Sequence, residues 1–220
     1  MRHLRALDGK RRGCINLDAC ARYYWNTDLA VPAPKVSPFG VDPFVCQDLV
    51  QANHTTRNID WSWGGYFEKR STLWAGTYLS KTGKWLHLGV DFNVPTGTLV
   101  NVPRQARVVH IDNDNPEPHG WGLRIITKDE PSGLYVIYAH LMPHSALKVG
   151  DVLDAGKIVG AVGAPKNNGG WYPHLHVQAM IPLAWQHYRS NLAELDGYGH
   201  SSQEQALRRQ FPNPVVALDL

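Results

Sequence analysis

The chain has 220 residues, 43% of them hydrophobic and 19% charged, with a formal net charge of +3. That is enough apolar material for one large domain, or one domain with substantial extensions, and it excludes an unfolded polyelectrolyte. A charge this small, with no concentrated basic patch, argues against a nucleic-acid partner, and no stretch approaches the ~20 apolar residues that span a bilayer.

Residues 1–71 are expected to form an irregular N-terminal extension. Arg2, Arg5, Lys10, Arg11 and Arg12 read as a solvated basic arm. Pro32, Pro34, Pro38 and Pro43 punctuate the middle of this extension, and DWSWGGYF (60–67) mixes aromatics with a Gly-Gly turn. Residues 1–25 hold no uninterrupted apolar run of the secretory type, so no leader is expected there and the compartment stays open. Cys14, Cys20 and Cys46 are an odd number without a CxxC pair. They suit reduced thiols better than a disulfide framework or a cysteine-rich zinc site.

From about residue 72 the texture changes. TLWAGTYLS, WLHLGVDFNV, TLVNV, ARVVHID, GLRIITKD, GLYVIYAHL, KIVGAVG and HLHVQAMI are short β-branched or aromatic runs separated by KTG, PTG, EPSG and KNNGG. That rhythm predicts a mainly β, antiparallel domain over residues 72–185. In LYVIYAHL, period-two alternation puts Leu134, Val136, Tyr138 and His140 on one face. KVGDVLDAGKIVGAVG lacks the glycine-lysine order of a phosphate loop. Residues 186–220 are expected to be a helical C-terminal tail. LAWQHYRSNLAELDG (183–197) reads as an amphipathic helix stopped by Gly197, and SSQEQALRRQF (201–211) as a second helix with Ser201 and Ser202 as candidate N-caps.

The chemistry-bearing residues lie within the β segment. His174 and His176, one residue apart in a strand, point to one face with Cα atoms roughly 6–7 Å apart, so both imidazoles can enter one pocket. His87 and Asp91 are spaced HxxxD. Four residues of straight strand span roughly 13 Å, too far for two ligands at ~2.1 Å from one zinc ion. The chain must bend between them, and Gly89 is the place. His140 closes a strongly β-patterned run. Each element alone fits an ordinary packed histidine or turn aspartate; together they offer two neutral nitrogens and one carboxylate for a metal, with two further imidazoles for proton work. Such a set suits zinc, which keeps an open position for water and brings the water pKa down to about 7. An imidazole with pKa near 6.5 can then carry its proton. His110 is expected on the sheet surface, and His119, His144, His187 and His200 in exposed positions.

HLGVDF, YAHL and PHLHVQ, in this order, resemble the lysostaphin-type zinc metalloendopeptidases, which cut peptide cross-links of bacterial peptidoglycan. The resemblance covers roughly residues 84–182. It implies an antiparallel β-sheet or sandwich core, a duplicated barrel-like hybrid motif, with a groove at the zinc. It also implies one zinc per chain on His87, Asp91 and His176, with His140 and His174 as non-ligand catalytic histidines. Spacing alone does not choose between His174 and His176 as ligand; that choice comes from the family. The pattern departs in having Trp171 and Tyr172 before the HxH motif and Gln178 where the family has an acidic residue. The implied activity is a zinc-dependent endopeptidase on a peptide or peptidoglycan substrate. Alternatives are a non-catalytic binding module and a zinc amidohydrolase acting on a non-cell-wall substrate. Trp61, Trp63, Trp171 and Tyr172 are candidates to line the groove. The family is usually periplasmic or secreted. Oligomeric state and the peptide bond cut are not fixed by the sequence.

Overall fold

A computed structural model describes residues 4–25, 42–114 and 120–220. The early part of the chain supplies β1 (Arg12–Ile15), α1 (Leu17–Trp25), α2 (Pro43–Arg57), β2 (Trp61–Gly64) and α3 (Tyr78–Thr82). The β segment supplies β3 (Leu86–His87), β4 (Val90–Asn93), β5 (Leu99–Asn101), β6 (Ala106–Asn113), β7 (Leu123–Asp129), β8 (Tyr135–Leu141), β9 (Val152–Leu153), β10 (Ile158–Ala161) and β11 (Leu175–Met180). The chain ends with α4 (Pro182–Tyr188), β12 (Tyr198–Gly199), α5 (Glu204–Gln210) and α6 (Pro214–Ala217).

The mainly β class expected from the sequence is what the structure shows. Eight strands form one sheet in the order β1-β2-β4-β11-β8-β7-β6-β9, antiparallel throughout except for the parallel pair β1/β2. Two small sheets, β10-β5 and β12-β3, complete the fold. One face of the large sheet, through Val90, Phe92, Val136, Tyr138, Leu175 and Val177, packs with Val100, Val159 and Val162 from the β5/β10 region. The opposite face carries Ile126, Ile137, Ala139 and Met180, covered by Ala184, Leu195 and Phe211 from the C-terminal segment. Because both faces are covered, the central strands read as near-continuous apolar runs rather than clean alternations.

Three sequence-based expectations need revision. The first 71 residues are more regular than expected: β1 and β2 extend the main sheet, and α1 and α2 build a separate apolar cluster with Leu73, Trp74 and Tyr172. The Asp42 side chain accepts from Phe44 N at 2.8 Å and Pro43 opens α2, a start signal that was present in the sequence. Arg2, Pro32, Pro34, Pro38 and His119 lie outside the described residues. The helix expected over 183–197 ends at Tyr188; Leu192 and Leu195 instead dock on the third cluster, and this tertiary burial outweighs local periodicity. Ser201 and Ser202 lie in a short 3-10 turn ahead of α5, whose N-cap is Gln203. Among the described residues, no helix is long and apolar enough to cross a membrane.

Candidate metal centre

Two strands and one break in the sheet bring the site together. In the β4/β11 register His176 lies directly opposite Asp91, and on its other side His176 faces Ala139 of β8, whose small side chain leaves room for the imidazole. The chain breaks between β3 and β4 at Leu88–Gly89, which returns His87 to the same site. The bend expected at Gly89 is there, but the need for glycine is close approach rather than a left-handed backbone. A Cβ at this position would lie 2.5 Å from His176 Cε1 and 2.7 Å from the Val177 carbonyl oxygen.

His140 reaches the site by a different device. Leu134, Val136 and Tyr138 belong to or pack against the first core cluster, so strict alternation would send His140 there too. The β7/β8 register shifts between Leu123 and Ile125, and His140 has φ +62. This bulge turns its ring to the other face, 4.5 Å from the His174 ring and 6.0 Å from the His176 ring, centroid to centroid. The shared face expected for Leu134, Val136, Tyr138 and His140 therefore fails at its last member.

Four hydrogen bonds fix the imidazoles. The Nδ1–H groups of His87, His140 and His174 donate to the carbonyls of Gly65, Asn168 and Tyr172 at 2.9, 2.9 and 2.7 Å, since a carbonyl can only accept. Each neutral ring is left with a lone pair on Nε2. His176 is turned the other way. Its Nε2–H donates to Gln178 Oε1 at 3.1 Å, and the orientation of that amide is fixed by Gln178 Nε2 donating to the Asp196 carbonyl at 3.2 Å. Its lone pair is on Nδ1.

Three lone-pair atoms therefore converge with no hydrogen between them. His87 Nε2 and His176 Nδ1 are 3.1 Å apart, and they lie 3.2 and 3.0 Å from Asp91 Oδ1. A tetrahedral zinc with bonds of ~2.0–2.1 Å holds its ligand atoms ~3.3 Å apart, close to this triangle. The set fits a zinc ion. The remaining oxygen of Asp91, Oδ2, accepts from Arg70 Nη2 at 2.7 Å. Arg70 is itself buried, stands 3.7 Å from Glu68, and lies over the Trp74 ring. Glu68 in turn accepts from Asp18 N at 2.5 Å, which ties the centre to α1.

Burial, with Arg70 nearby, pushes the His87 pKa down to about 4. Burial and the neighbouring His174 and His176 hold His140 well below the usual imidazole range, and burial also lowers His174. Burial opposes ionisation of Asp91, but the adjacent Arg70 guanidinium outweighs it and holds the carboxylate well below its ordinary pKa. All these groups are in the form that binds a cation.

The centre opens into a cleft of about 460 Å³ with Trp74, Trp121, Trp171, Tyr172 and Tyr198 on its walls. Trp171 and Tyr172 line it as expected. Trp61 is buried in the first core cluster and Trp63 packs against that cluster, so neither does. His110 is half-buried on β6 with Asp112 at 3.4 Å; His144 and His187 are exposed as expected, whereas His200 is only half-exposed. Arg70, Trp74, Trp121 and Leu192–Tyr198 were not foreseen as part of the site. Nothing in the spacing of these residues marks them, because they reach the cleft from segments with no motif.

The fold and site together describe a β-sheet protein with an open-faced His₂Asp centre. Residues 86–188 match the family model described as Peptidase family M23, and the resemblance to lysostaphin-type peptidases is borne out over that segment. The solution structure of lysostaphin is similar at 32% identity, covering 44% of this chain and 37% of that one, with a TM-score of 0.38. The catalytic domain of the antimicrobial peptidase lysostaphin from Staphylococcus simulans is 26% identical, over 62% of this chain and 81% of that one, with a TM-score of 0.42. A variant catalytic domain of the prophage-encoded M23 protein EnpA from Enterococcus faecalis is 28% identical, over 44% and 69%, with a TM-score of 0.37. The chain spans only 37% of that first lysostaphin chain and 61% of the LytU chain it also resembles. No curated protein matches it.

Proposed function

We propose that the chain is a zinc metalloendopeptidase that hydrolyses peptide bonds in peptidoglycan cross-links or stem peptides. His87, Asp91 and His176 hold one zinc, and His140 and His174 are the catalytic histidines. The observation that carries the reading is the convergence of three hydrogen-free lone-pair atoms at 3.0–3.2 Å, an arrangement that only a cation or a proton makes favourable. Zinc held by His87, Asp91 and His176 would supply Lewis acidity and lower the pKa of a water toward neutrality.

The chain's own residues supply the rest. The backbone carbonyls of Asn168 and Tyr172 hold His140 and His174 with Nε2 unprotonated; both residues line the cleft, and His174 Nε2 stands 3.6 Å from Asp91 Oδ1. Burial keeps both rings neutral, so either can take a proton at Nε2 and return it to a leaving amine. His174 is stacked at 4.4 Å on Tyr172, whose hydroxyl donates to Asn93 at 2.9 Å, so the ring cannot swing away. The aromatic walls exclude water and offer flat apolar surface to a small, glycine- or alanine-rich peptide.

The test has two parts. Elemental analysis should find one zinc per chain, lost in His87→Ala and Asp91→Ala. The zinc-loaded protein should cleave peptidoglycan fragments or a glycine-rich peptide, and His140→Asn and His174→Asn should abolish cleavage while retaining zinc. A fully metallated protein that cleaves no peptide overturns the endopeptidase reading.

A further inference from the structure

One segment that lines the cleft lies beyond the family match, which ends at residue 188. Leu192, Leu195, Asp196, Gly197 and Tyr198 line the cleft, with Gly197 close to the Trp121 and His176 rings. This segment is fastened at the metal-ligand strands themselves. Tyr198 pairs in register with His87, Leu88 N donates to the Gly197 carbonyl at 2.8 Å, and Lys84 Nζ reaches Asp196 Oδ2 at 2.7 Å. The fourth fastening is Gln178, which is fully buried. One end of its amide accepts from His176 Nε2–H and the other donates to the Asp196 carbonyl.

We propose that Gln178 is a positioning residue that couples the zinc centre to the C-terminal segment, so that zinc binding and docking of residues 195–199 stabilise each other. This rests on the zinc reading above. The chemistry explains why an amide stands where the family pattern has an acid. A carboxylate at 178 accepts from His176 equally well, but it has no hydrogen to give the Asp196 carbonyl and would set two oxygens face to face. An amide serves an imidazole N–H on one side and a carbonyl on the other, which an ionised carboxylate cannot. The amide is matched to a segment outside the residues that match the family model, and that segment forms part of the cleft wall. Because the coupling is thermodynamic, it is reciprocal: whatever the docked segment adds to zinc affinity, zinc adds to docking.

The experiment is amide hydrogen exchange on the full chain, zinc-loaded and after chelation, paired with zinc affinity by competition with a chromophoric chelator. Zinc loading should slow exchange at the Leu88 amide and across residues 195–199 by roughly 5- to 150-fold, the usual range of a coupling of this kind. Gln178→Leu should weaken zinc binding on the order of 10- to 100-fold, as loss of a partner behind a ligating histidine does. Gln178→Glu should keep zinc but lose the zinc-dependent protection of 195–199. If Gln178→Leu does not fold, the exchange comparison on the unsubstituted protein and on Gln178→Glu decides alone. Equal exchange with and without zinc overturns the coupling, as does undiminished zinc-dependent protection in Gln178→Glu. A chain that takes up no zinc overturns the zinc reading first; one that takes it up without these effects sinks only the coupling.

Discussion

Asp91 carries different partners on its two oxygens: Oδ1 faces the two histidine lone pairs and Oδ2 the Arg70 guanidinium. The guanidinium therefore fixes which oxygen is presented to a metal, and it also neutralises a carboxylate that burial would otherwise protonate. Arg70→Met keeps the volume and removes the charge, stranding Asp91 and Glu68 without a cation. Breaking a buried pair in this way costs roughly 3–5 kcal/mol. The urea midpoint should fall accordingly, and zinc affinity with it. His140 poses a second question at this scale. Its left-handed backbone costs a side-chain-bearing residue about 1–2 kcal/mol, but not glycine. His140→Gly and His140→Ala should both lose the proposed peptidase activity, while the glycine variant unfolds at higher urea than the alanine variant. Equal stabilities would show that the backbone relaxes once the ring is gone.

Elements place these residues, and their placement was only partly legible. HLGVDF, YAHL and PHLHVQ could be read because they set unusual residue types at spacings only a strand or a bend satisfies. Gly89 could be read as a bend but not as a contact, since the His176 ring that excludes a Cβ comes from a strand more than eighty positions away. Gly89→Ala should therefore damage β4 and β11 together. The alanine methyl meets the Val177 carbonyl as well as the imidazole, so movement of one side chain does not relieve it. The expected outcome is a lower melting temperature by circular dichroism and less than one zinc per chain. The bulge at His140 was not legible, because β-bulges leave the apolar alternation intact up to the residue they displace. Nor was the wall formed by Leu192–Tyr198, whose local periodicity continues a helix that tertiary docking stops at Tyr188.

At the scale of the whole molecule, the centre couples stability to pH. An unfolded chain protonates its histidines near 6.5, whereas His87 in the folded chain resists until about 4, and His140 and His174 are shifted in the same direction. Between those values the unfolded state holds more protons, so stability falls as pH falls through that window. Asp91, with its lowered pKa, continues the loss at lower pH. Melting of the chelated protein should show this decline from about pH 6.5 to about pH 4; a flat profile would mean that the rings titrate normally.

The four hydrogen bonds that hold the rings come from Gly65, Asn168, Tyr172 and Gln178, all supplied by the polypeptide. Ring orientation is thus set by three backbone carbonyls and one amide rather than by an ion, so the chelated protein should keep its fold, unlike a stripped zinc finger. Metal uptake by such a frame would then follow folding rather than drive it.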